Sequence, residues 1–91
     1  MNEGGRWQVI IQRKAQKILK RLDGDTLKRI LAALHNLASE PRPLGVKKLA
    51  GYENLFRVRV GDWRIIYAIE DDKLIVLVLE ISTRGGAYRG L

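Results

Sequence analysis

The chain has 91 residues, 17 Lys and Arg against 10 Asp and Glu, a net charge of +7 and no cysteine. That length holds one domain, 1–91. The missing cysteine excludes disulfides, thiol nucleophiles and cysteine-ligated zinc. Positive charge runs along the whole chain, which points to a nucleic acid or an acidic protein as partner.

The opening MNEGGRWQVIIQRK has no apolar stretch of the secretory kind. The longest apolar run, 74–79, is far too short to cross a membrane. The expectation is a soluble, cytoplasmic chain with no membrane partner.

The run WQVII, 7–11, reads as a first strand. Ala15, Ile18, Leu19 and Leu22 then recur at helical spacing among Lys14, Lys17, Lys20 and Arg21. Gly24 is the expected stop of that helix and Asp25 the expected N-cap of the next. The second helix carries Leu27, Ile30, Leu31, Leu34 and Ala38 on one face and ends before Pro41 and Pro43. His35 lies at the margin of that stripe, where a surface position is expected. A loop containing GVKKLAGYEN follows. Three strands come next, at about 55–60, 63–69 and 73–81, separated by turns at Gly61-Asp62 and Asp71-Asp72. The last is apolar on both faces, so it belongs in the sheet interior. The order β-α-α-β-β-β predicts an α+β fold: an N-terminal strand, a helical hairpin, then a three-stranded antiparallel meander, with the helices packed on one face of the sheet.

Within FRVRVGDWRIIY, 56–67, glycine at the first central position of a two-residue turn suits type II′ geometry and fixes the register. Val60 then faces Trp63, Val58 faces Ile65 and Phe56 faces Tyr67, an apolar patch on one face. Arg59 faces Arg64 and Arg57 faces Ile66 on the other. Like charges directly opposite destabilise a strand pair by up to about 1 kcal/mol. Folding alone does not favour that pair, whereas a bound phosphate does, because guanidinium grips it with paired hydrogen bonds. The bland reading has these arginines paired with Asp62 or Glu80. Lys47 and Lys48 before the hairpin, and Arg84, Tyr88 and Arg89 after the last strand, extend the basic set. Tyrosine among arginines suits unstacked RNA bases.

Lys48-Leu49-Ala50-Gly51 followed by Phe56–Tyr67, with its RxRxGDxRxxY string, resembles the RelE/ParE superfamily of toxins. Arg84-Gly85-Gly86-Ala87-Tyr88-Arg89 is similar to that family's closing arginine–tyrosine motif. The resemblance covers essentially the whole chain and implies a type II toxin–antitoxin system. Its RelE branch implies a ribosome-dependent endoribonuclease that cuts messenger RNA in the A site without a metal or other cofactor. The implied catalytic residues are Arg64, Arg84 and Tyr88, with Lys47, Lys48, Arg57, Arg59 and Arg89 binding RNA. Arg64 and Arg84 would stabilise the phosphoryl oxygens, while Tyr88 would stack on a base or act as general base. The implied partners are a cognate antitoxin, the ribosome with its messenger, and operator DNA only through the antitoxin complex. Relatives often carry lysine where Arg57 and Arg59 stand, and charged or branched residues where Gly85 and Gly86 stand. The alternatives are a ParE-like gyrase inhibitor and an attenuated toxin that binds antitoxin or RNA without cutting.

Overall fold

The computed structural model describes residues 6–83. The elements are β1 (Gln8–Ile11), α1 (Arg13–Arg21), α2 (Gly24–Leu37), β2 (Lys47–Lys48), β3 (Leu55–Val60), β4 (Trp63–Glu70), a 3₁₀ turn (Asp71–Lys73) and β5 (Ile75–Thr83). They form one five-stranded sheet in the order β1-β5-β4-β3-β2.

The expected meander is β3–β4–β5, and it is wider than the sequence suggests. β2 pairs antiparallel with β3 on one side, and β1 pairs parallel with β5 on the other. The sheet is therefore mixed. β5 lies between β1 and β4, which is why it is apolar on both faces.

Ile65, Tyr67, Ile69, Val76, Val78 and Ile81 project from the sheet into the core and meet Ala15 of α1 and Ile30, Leu34 and Leu37 of α2. The helices thus cover one face. Leu37 takes the place in the stripe that spacing gave to Leu31, which is 46% exposed. The helix boundary also differs. α1 already stops at Arg21, Asp23 occupies the N-cap position of α2 without a side-chain cap bond, and Asp25 lies inside its first turn. Gly24 has φ +58° and opens the second helix rather than ending the first.

One irregularity sets what each end of β5 presents. Tyr67 pairs with Val78 but Ile66 pairs with Glu80, so Leu79 is an extra residue in β5. Val76 and Val78 point into the core, and strict alternation would send Glu80 after them. The bulge turns Glu80 and Ser82 to the helix-free face and returns Ile81 to the core.

Candidate functional site

The β3–β4 hairpin has the expected register: Val60 opposite Trp63, Val58 opposite Ile65, Phe56 opposite Tyr67, Arg57 opposite Ile66 and Arg59 opposite Arg64. Gly61 in the turn has φ +62°, which glycine adopts without steric cost.

Directly paired residues share a face, so the helix-free side carries two rows across the strands. One runs Ser82–Arg64–Arg59. The next runs Glu80–Ile66–Arg57–Lys47. Three guanidiniums and one ammonium from three adjacent strands are thereby gathered at the hairpin end of the sheet. Lys48 is the exception. It pairs with Phe56 and so belongs to the opposite face, although it is exposed. Arg84, Tyr88 and Arg89 lie outside the described residues. The last described residue, Thr83, pairs with Trp63, next to Arg64.

Arg59 is exposed, while Arg57 and Arg64 are half-buried with their Nε atoms buried. Arg57 Nε has no hydrogen-bond partner among the described residues. Nor does Arg57 or Arg59 have an ion-pair partner among them. The Glu80 carboxylate instead lies 3.7 Å from Lys14 Nζ and accepts a 3.1 Å bond from the Ser82 hydroxyl. A row of cations from three strands, with no carboxylate on Arg57 or Arg59 among the described residues, is an arrangement that an oxyanion suits. The neighbours that sequence reading missed are Ser82 and Lys14, because the bulge at Leu79 has no sequence signature.

A second arginine site lies away from this face. Arg42, in the loop after α2, donates two bonds to Asp71, of 3.2 and 2.9 Å, and lies 5.4 Å from the centre of the Phe56 ring. The Asp71 bond holds that carboxyl below the usual carboxylate range and raises the pKa of Arg42. Beside it, the buried Tyr67 hydroxyl donates a 2.7 Å bond to the Pro41 carbonyl. Burial pushes the Tyr67 hydroxyl up to about 12.

Known proteins agree with this architecture. The ParE toxin of type II toxin–antitoxin systems is the family matched, over residues 9–88. The RelE1 protein of Methanocaldococcus jannaschii is 32% identical, over 92% of this chain and 97% of its own. Toxin RelE of Mycobacterium tuberculosis is 31% identical, over 98% and 93%. Among solved structures, the archaeal RelE–RelB complex from Pyrococcus horikoshii OT3 aligns at a TM-score of 0.77 with 31% identity, covering 87% of this chain and 96% of that one. The intact RelBE toxin–antitoxin complex of E. coli aligns at 0.75 with 19% identity, covering 86% and 96%, a likeness of fold. The chain belongs to the ParE toxin family of type II toxin–antitoxin systems. Within it, the chain is a RelE-like toxin.

Proposed function

We propose that this toxin is a ribosome-dependent endoribonuclease that cuts messenger RNA in the A site and is neutralised by a cognate antitoxin. The observation that supports this best is the helix-free arginine face. Arg59 stands opposite Arg64, and neither Arg57 nor Arg59 has an ion-pair partner among the described residues, a costly arrangement that a bound oxyanion offsets.

The chemistry balances without a metal or other cofactor. The ribose 2′-hydroxyl attacks the adjacent phosphorus, its proton passes to a base, and the bond to the 5′-oxygen breaks as that oxygen takes up a proton. The products are a 2′,3′-cyclic phosphate and a free 5′-hydroxyl. Arg64 and Arg84 stabilise the charge that gathers on the phosphoryl oxygens, which fixed cations do well in a site shielded from water. Arg57 and Arg59 hold flanking phosphates but cannot accept the proton, because guanidinium stays protonated. Lys47, on the arginine face, and Arg89 complete the RNA contacts, whereas Lys48 points to the other side of the sheet. Tyr88 stacks on a base or takes the proton.

The related toxins crystallised with antitoxins support an antitoxin partner here, one that brings acidic and apolar residues to this basic surface. Operator DNA would be reached only through that complex. The direct experiment is to map RNA 5′ ends in translating ribosomes with wild-type protein and with Arg84→Ala at equal levels. Cuts within A-site codons that vanish with Arg84→Ala are expected. No cuts from folded wild-type protein would overturn the proposal and turn attention to gyrase inhibition.

A further inference from the structure

The hairpin tip has a second side. Opposite the arginine face, between α2 and the turn, lies a cleft of about 120 Å³ lined by Thr26, Arg29, Ile30, Val60, Asp62 and Trp63. That is room for one small group rather than a length of chain.

The walls are of distinct chemistry. Trp63 is half-buried, packs against the core and contributes one wall. Arg29 comes from α2 and rests on the turn. A Cβ on Gly61 would stand 3.2 Å from its Nη2 and 3.4 Å from its Nη1. Gly61 therefore both permits the turn and leaves room for that guanidinium. Asp62 adds a carboxylate and Thr26 a hydroxyl. Arg29 and Asp62 line the same cleft, yet among the described residues they form no ion pair with each other or with any other group. Both keep hydrogen-bonding capacity for a ligand.

A bare anion is a poor fit, since Asp62 repels it. A nucleobase fits every wall. It stacks on an indole or guanidinium plane and offers donors and acceptors along its edge. Guanine fits best. Its N1–H and N2–H donate side by side to a carboxylate, and its O6 and N7 accept from an arginine. Trp63 and Arg64 are consecutive in β4 and point to opposite faces, so RNA crossing the hairpin tip can meet the arginines on one side and the cleft on the other.

We propose that this cleft binds one base, preferentially guanine, of the RNA whose phosphates lie on the arginine face. This rests on the RNA-cleaving reading above. Asp62 and Arg29 read the base edge, and Trp63 supports the ring.

The test follows the two tryptophan indole N–H resonances of the full-length protein while guanosine 5′-monophosphate is added, with Trp7→Phe to assign them. The Trp63 signal is expected to move and saturate, and the Trp7 signal to stay. Inorganic phosphate should leave Trp63 unmoved, and the uridine and cytidine monophosphates should bind more weakly. Asp62→Asn, which suits a turn equally well, should lower guanosine affinity about tenfold. A Trp63 signal unmoved by guanosine monophosphate, or moved alike by phosphate and all nucleotides, overturns the proposal. If the guanosine effect is found but wild-type protein cuts no messenger, the cleavage reading fails and the cleft stands. If messenger is cut but Trp63 does not respond, the cleft fails alone.

Discussion

Arg42 and the hairpin arginines lie on two sides of Phe56. Arg42 packs over the Phe56 ring and donates both ends of its fork to Asp71. Arg57 follows Phe56 in the chain and points to the other face of the sheet. Neither it nor Arg59 has an ion-pair partner among the described residues. Arg42 joins the loop after α2 to the turn between β4 and β5, with the Tyr67–Pro41 bond beside it. On the hairpin, Arg59 stands opposite Arg64, and Arg57 stands opposite Ile66. The residue type is the same, and the surroundings decide its use. A cation whose carboxylate is supplied within the fold serves the fold. Cations such as Arg57 and Arg59, with no such carboxylate among the described residues, are left for a ligand.

Four substitutions probe this contrast. Arg64→Ala should leave the protein folded and lower messenger cleavage by about 10²–10³-fold, the usual cost of removing one fixed stabiliser of transition-state charge. Measured cleavage rates on translating ribosomes check it. On the structural side, Tyr67→Phe should destabilise by about 1–3 kcal/mol in denaturant unfolding, because it leaves the buried Pro41 carbonyl without its donor. The same hydroxyl gives a pH signature. Its folded pKa is raised from 10.0 to about 12, so its contribution is complete below pH 10 and is lost as pH rises through 12. The phenylalanine variant should lack that loss.

Arg59→Thr should act in opposite directions on the two properties. It removes the like-charge pair with Arg64 and adds a β-branched residue, so stability should rise by up to about 1 kcal/mol while RNA affinity falls. A loss of stability would show that Arg59 serves the fold after all. The smallest effect belongs to Asp71→Asn. The exposed pair with Arg42 should contribute little, and only above the ordinary carboxylate pKa near ~4. The wild-type advantage should therefore fade as pH falls below that value, because the Asp71 carboxyl is lowered in the folded state. Thermal melts of both proteins across acid pH check the sign.

These contrasts were unequally visible in the sequence. The hairpin register followed from Gly61-Asp62 and the alternation around it, so the opposition of Arg59 and Arg64 could be read directly. The apolar character of 74–79 placed β5 inside the sheet. The parallel pairing of β1 with β5 could not be read, because it joins segments 67 residues apart in register, as Gln8 with Ile75. Lys47-Lys48 is too short to show strand periodicity, so the side of the sheet taken by Lys48 emerged only from its pairing with Phe56. The extra residue at Leu79 left no mark, though it decides where Glu80 and Ser82 point. Nothing in PRPLG, 41–45, announced that Arg42 would reach Asp71. Contacts far apart in the chain set the difference between the two kinds of arginine.

The most direct test compares the two kinds side by side. RNA 5′ ends would be mapped in translating ribosomes carrying equal amounts of wild-type, Arg42→Ala or Arg64→Ala protein. A-site cuts are expected from wild type and Arg42→Ala and should be lost with Arg64→Ala. Equal cutting by all three, or loss with Arg42→Ala while Arg64→Ala still cuts, would contradict the account.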